Sequence, residues 1–121
     1  MAGVMRAALN ARYGGWRFDA ILPAGGWDGA MDGRFAAPAA SGRVWAKSGT
    51  MHYAKGFTGQ LFTASGRQLV FAVYLGDPAR RDAYDADPDR LAPDTQALAR
   101  AWIDRAEGFM EDMIGGWIAD F

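Results

Sequence analysis

Seven consecutive apolar residues, Leu69-Val70-Phe71-Ala72-Val73-Tyr74-Leu75, constrain this chain more than any other stretch. A strand with one wet face alternates apolar and polar side chains, whereas a continuous apolar strand asks for cover on both faces. Just before it, Ala64-Ser65-Gly66-Arg67 is a glycine-containing turn, and Phe57 to Thr63 reads as a partner strand, so a hairpin is expected. Arg43 to Thr50 supplies a third strand candidate. The expected core is an antiparallel sheet with helices on each side, provided both covering layers are present.

Helical signals lie at the two ends of the chain. Val4 to Tyr13 reads as a short helix with Val4, Ala8 and Leu9 on one side, ended by Gly14-Gly15. Residues 16–35 have no clean period, although a second short helix over Ala30 to Phe35 fits. Ala36 to Gly42 is a loop by its small residues and proline, and Gly76 to Ala92, rich in aspartate and arginine, reads as a solvated connection. Asp94 or Thr95 then caps a long helix, with Pro93 just before it. Leu98, Trp102, Ala106, Phe109, Met113 and Trp117 recur at steps of three and four, an apolar stripe expected to lie across the sheet. Gly115-Gly116 predicts a kink or an early stop.

Composition removes several classes of function. Thirteen basic and fourteen acidic residues are mixed along the 121, which leaves no basic face for nucleic acid. Cysteine is absent, so disulfides and thiolate metal sites are excluded. The acidic stretch Asp82 to Asp94 lacks EF-hand spacing and reads as solvated loop; no metal and no cofactor is expected. The first residues lack the charged and apolar regions of a signal peptide, and no apolar run approaches the roughly 20 residues of a membrane span.

The chemically informative stretch is Gly42-Arg43-Val44-Trp45-Ala46-Lys47-Ser48-Gly49-Thr50-Met51, with a K-[ST]-G triplet at the end of a strand. An ammonium at Lys47 makes a pocket positive, suited to a substrate that ends in a carboxylate. The Ser48 hydroxyl can hydrogen-bond that carboxylate. Gly49 lets an extended peptide lie close to the strand. The N–H of Thr50 can serve as one of two oxyanion donors. The bland reading of the triplet is a strand ending in a solvated lysine and a turn glycine.

The flanks tip the balance. Leu22-Pro23, Gly26-Trp27-Asp28-Gly29 and Arg34 resemble the L-P-x-x-G-x-D-G-x-x-x-x-R segment of class C low-molecular-mass penicillin-binding proteins, the D-alanyl-D-alanine carboxypeptidase/endopeptidase family. Gly59 to Arg67 with Leu69-Val70-Phe71 is similar to that family's final hairpin, and order and spacing agree over residues 4–76. The resemblance implies an α+β fold: a three-stranded antiparallel meander with a long C-terminal helix, with residues 1–121 forming the C-terminal portion of one transpeptidase/β-lactamase-like domain. It implies a periplasmic serine carboxypeptidase that acts on peptidoglycan stem peptides and is trapped by β-lactams. In that frame Lys47 shapes the pocket and assists proton transfer, Ser48 binds the terminal carboxylate, Gly49 gives the substrate access, and the Thr50 amide completes the oxyanion hole. Ser48 departs from the common K-T-G. Met51-His52-Tyr53-Ala54-Lys55 stands where the family shows a short small-residue turn.

One element of that chemistry is absent. An S-x-x-K nucleophile needs lysine three residues after serine, but Ser41, Ser48 and Ser65 are followed there by Val44, Met51 and Gln68, and no S-x-N is present. A lysine and an oxyanion donor without a nucleophile cannot acylate. The chain is therefore expected to be inactive alone, as a truncated piece or a natural short product; the alternative is a non-catalytic binding or assembly module. The resemblance implies that 68–75 pairs with a strand of the N-terminal half, and the absence of that strand predicts self-association, most simply as a dimer, through that edge or through the exposed sheet face. His52, the only histidine, tempts as a catalytic group but reads more simply as polar surface, and Asp28-Gly29 as a turn device.

Overall fold

A computed structural model describes all 121 residues. The order is α1 (Ala2–Leu9), β1 (Arg12–Tyr13), β2 (Trp16–Arg17), β3 (Val44–Met51), β4 (Ala54–Phe62), β5 (Gln68–Gly76), α2 (Pro78–Ala86) and α3 (Pro93–Asp120), with single 3₁₀ turns at Phe18–Ile21 and Gly29–Met31. The fold is α+β, with β3-β4-β5 as an antiparallel meander and α3 across one face. No helix is long and apolar enough to cross a membrane.

Alternation along the strands sets the two faces. Val44 and Ala46 of β3, Phe57 and Leu61 of β4, and Phe71 of β5 point one way and meet Met110, Ile114 and Ile118 of α3. Met31 and Phe35, from the irregular segment before β3, close the same core. Phe35 is held at φ 53, with its ring edge-on to Phe57 at 6.0 Å. Gly59 lets β3 and β4 meet: a Cβ there would stand 2.1 Å from the Trp45 carbonyl oxygen and 2.7 Å from Ala46 Cα.

The other face is thinly covered. Helix α1 packs over β4 and β5 and buries only Met5. Tyr74 stays 73% exposed and β5 buries Phe71 alone, so the two-sided cover expected of the apolar run is incomplete within this chain. β5 is also a sheet edge.

Several expectations need correction. Helix α1 stops at Leu9, and Gly14-Gly15 turns the two-residue hairpin β1–β2 instead of ending a helix; both glycines have positive φ, as such a turn requires. The helix expected over 30–35 is a single 3₁₀ turn at Gly29–Met31. β4 begins at Ala54, earlier than Phe57. Within the supposed solvated connection lies α2, where the Asp77 carboxylate accepts from the Arg80 N–H, Pro78 opens the first turn, and Arg81 pairs with Asp85 one turn on.

Pro93 is the first turn of α3 rather than a residue before it, and neither Asp94 nor Thr95 caps the helix. The helix runs through Gly115-Gly116 because its end is tied down: the Ile118 carbonyl accepts from the Ala64 N–H at 2.7 Å and the Phe121 carbonyl from Ser65 Oγ at 2.6 Å. The buried stripe is Ala99, Ala106, Met110, Ile114 and Ile118; of the expected set only Ala106 is buried, and Leu98 and Phe109 are exposed.

Candidate functional site

β3 pairs with β4 on one side only. The first half of its other edge is taken by the segment before it: Ala46 N–H donates to the Pro23 carbonyl, and Val44 C=O accepts from Gly25 N–H. Asp28 holds that segment in shape by accepting the Ala24 N–H at 2.6 Å, the turn role expected of it. Trp27 Nε1 bonds Ser41 Oγ at 2.9 Å across the same loop.

Beyond Ala46 the edge is open. The hairpin turn His52-Tyr53 closes on the Met51–Ala54 pair, so Gly49–Gly56 and Lys47–Thr58 are the next hydrogen-bonded pairs. The N–H and C=O groups of Ser48 and Thr50 then face away from β4, in line with those of Val44 and Ala46. Thus Ser48 of the triplet and Thr50 share one outward strand edge.

Lys47 and Gly49 lie on the face away from α3 and border a cleft of about 640 Å³, with Gly56, Thr58, Ala72 and Tyr74 as floor and Met1 and Ala2 as rim. Lys47 is exposed, and its Nζ turns back to the Ser48 carbonyl. At Gly49 an added Cβ would meet nothing within 4 Å, and φ is not positive. Glycine weakens a strand. Nothing inside this chain requires it here.

Thr50 points its hydroxyl to the opposite face, where Lys55 Nζ donates to Oγ1 at 2.8 Å. Lys55 is buried and pairs with Glu107 Oε2 of α3 at 2.6 Å; Glu107 also pairs with Arg34. Both cations lie over the Phe57 ring, Arg34 at 5.6 Å and Lys55 at 5.4 Å from its centroid. Sequence reasoning missed this cluster because it began β4 at Phe57. Once the strand starts at Ala54, Lys55 falls on the inward row with Phe57, Gly59 and Leu61, and a charge on an inward row is the signal.

Glu111, one turn beyond Glu107, feels burial first and the Glu107 charge second, and its carboxyl is pushed above the ordinary 4.5. The folded chain therefore binds that proton more tightly than the unfolded one. Stability falls as pH rises from about the ordinary glutamate value through the raised one. Glu111→Gln is expected to raise the melting temperature at pH 7, with the gain fading as pH drops below 4.5. Thermal melts of both proteins across that range check it; a gain independent of pH contradicts it.

His52 does not line the Lys47 cleft. Its ring stacks on Tyr84 of α2 at 4.2 Å, and Nε2 lies 3.1 Å from the Tyr84 hydroxyl. Beside it Tyr53 takes φ 55, a conformation costing a bulky residue about 1–2 kcal/mol. Its ring packs near Tyr84 and Trp102, at 6.1 and 5.9 Å, which holds it there. The bulky turn that departs from a small-residue pattern is thus docked onto α2 and α3. No group of histidine and acidic residues stands close enough to hold a metal.

No curated protein matches this chain. A family model, D-Ala-D-Ala carboxypeptidase 3 (S13), matches residues 1–93, which takes in α1, the irregular segment, the whole sheet and α2. With more than three quarters of its length matched, the chain belongs to the D-Ala-D-Ala carboxypeptidase 3 (S13) family.

Proposed function

We propose that the chain forms the K-S-G wall of a penicillin-binding serine carboxypeptidase of the class C type, which cleaves the terminal D-alanine from peptidoglycan stem peptides in the periplasm. The observation that carries this reading is the open edge at Ser48–Thr50. It offers the unpaired N–H groups of Ser48 and Thr50 and the Thr50 carbonyl beside a lysine cleft, at a glycine the fold itself does not need. An extended D-alanyl-D-alanine end adds to such an edge as a strand, gaining backbone hydrogen bonds along it. Lys47 supplies the positive field for the terminal carboxylate, Ser48 its hydroxyl, and Thr50 the N–H that meets the developing oxyanion.

These residues lack an S-x-x-K and an S-x-N, so the serine that attacks must come from elsewhere. That absence is also what favours a second reading, in which the wall serves as a binding module without chemistry. Both readings use the same edge. Titrating the ¹⁵N-labelled chain with diacetyl-L-lysyl-D-alanyl-D-alanine is expected to shift the Ser48 and Thr50 amides at millimolar peptide, and Lys47→Ala to weaken the response several-fold. Shifts that avoid residues 47–50 contradict the edge reading.

A further inference from the structure

Lys55 is 3% exposed, on the inward row of β4, and no other residue of that row is charged. Burying an ammonium costs several kcal/mol before any partner is counted, and an apolar residue of the same length commonly serves stability better. Its neighbours on the sheet are apolar, Phe57 on the same row and Leu75 opposite on β5, and only its Nζ end meets polar groups, Thr50, Arg34 and Glu107 among them. Packing alone therefore gives no reason for a lysine. What the lysine adds is a connection: its Nζ joins Thr50 Oγ1 of β3 to Glu107 of α3, and Glu107 in turn holds Arg34 from the segment before β3.

Thr50 needs such a connection. It is exposed, next to the turn, at the end of an edge strand whose outer side is covered only as far as Ala46. A free edge beside a hairpin turn frays first. We propose that Lys55 and Glu107 are positioning residues for the open edge. The strut Arg34–Glu107–Lys55 clamps the Thr50 side chain from the α3 face, and so fixes the direction of the Thr50 N–H at the open edge. Oxyanion donors act by being held in place before the reaction, so a donor that sways loses most of its value. The inference rests on the edge reading above and adds residues that never touch the substrate.

Two measurements on the whole 121-residue chain separate the clamp from the edge reading. The first needs no ligand. In the wild type the Thr50 N–H order parameter is expected near the rigid-backbone value of about 0.85, and in Lys55→Met to fall toward about 0.6, with Val44 and Ala46 unchanged. Lys55→Arg keeps a donor to both partners and should retain the wild-type value. Should Lys55→Met fail to fold, Thr50→Val removes the acceptor alone and is expected to show the same loss at residue 50. The second is the peptide titration, in which Lys55→Met should lose the Thr50 response while keeping the Ser48 shift. An unchanged order parameter in both variants overturns the clamp and leaves the edge reading standing. A wild-type chain whose Ser48 and Thr50 amides ignore the peptide overturns the edge reading, and with it the purpose assigned to the clamp.

Discussion

Gly59→Ala should melt at least about 10 °C below the wild type, the shift that a loss of roughly 3 kcal/mol gives a domain of this size. The reason is local and steric. The new methyl would stand 2.1 Å from the Trp45 carbonyl oxygen, 2.7 Å from Ala46 Cα and 2.8 Å from its Cβ, and none of these atoms is a flexible side-chain end. β3 must move away from β4, which breaks ladder bonds and opens the core where Val44 and Ala46 meet α3. Overpacking a core usually costs about 1–3 kcal/mol, and here the obstacle is backbone, so the upper end or beyond is expected. Gly49→Ala is the companion. Its Cβ meets nothing, so the melt should stay within about 0.5 kcal/mol of the wild type. Melting the two variants side by side checks the contrast; equal effects would mean the strands are spaced differently.

The second large effect concerns Lys47. Placed in a complete family enzyme in exchange for its matching C-terminal portion, residues 1–121, which bring Glu107 and the rest of α3 together with the sheet, should support acylation of the host serine by benzylpenicillin. Lys47→Ala should then slow acylation by about 100-fold or more, the scale of losing one preorganised electrostatic partner in a closed site. The fold gives little ground for a structural loss, since the Lys47 side chain is exposed and bonds only the Ser48 carbonyl. Gly49→Ala in the same graft should also slow acylation while leaving the melt unchanged, because its methyl would enter the space that the substrate strand takes. Stopped-flow acylation with matched melting curves checks both. Near-normal rates for Lys47→Ala would remove that lysine from the chemistry.

Much of this was legible in the residues. The order of the three strands, the hairpin at Ala64–Arg67 and the long final helix follow from pattern and turn chemistry, because the signals are local and strong. The K-S-G triplet was legible as part of a strand for the same reason, and its role as a wall remains the proposal above. Elsewhere, competing effects decided. α2 was hidden by its charge, although Asp77-Pro78 and the Arg81–Asp85 spacing were the marks of a capped helix. The face of α3 was misread because its large aromatics drew the stripe. The sheet instead takes the helix through Met110, Ile114 and Ile118, while Ala99 packs against Tyr53 and Tyr84. Gly115-Gly116 stays helical because hydrogen bonds from Ala64 and Ser65 anchor the end, a tertiary effect no window of sequence contains. The Lys55–Glu107 pair lies 52 positions apart, so no local pattern announces it.

The central claim is that these residues carry the wall of an acyl-transfer site and not its nucleophile. Intact-mass measurement after incubation with benzylpenicillin tests it most directly, on the 121-residue chain and on the graft in parallel. The account predicts an unchanged mass for the chain alone and one penicilloyl group on the graft, located at the host's serine. An adduct on the chain by itself, mapped to Ser41, Ser48 or Ser65, would contradict it, as would a folded graft that never gains mass.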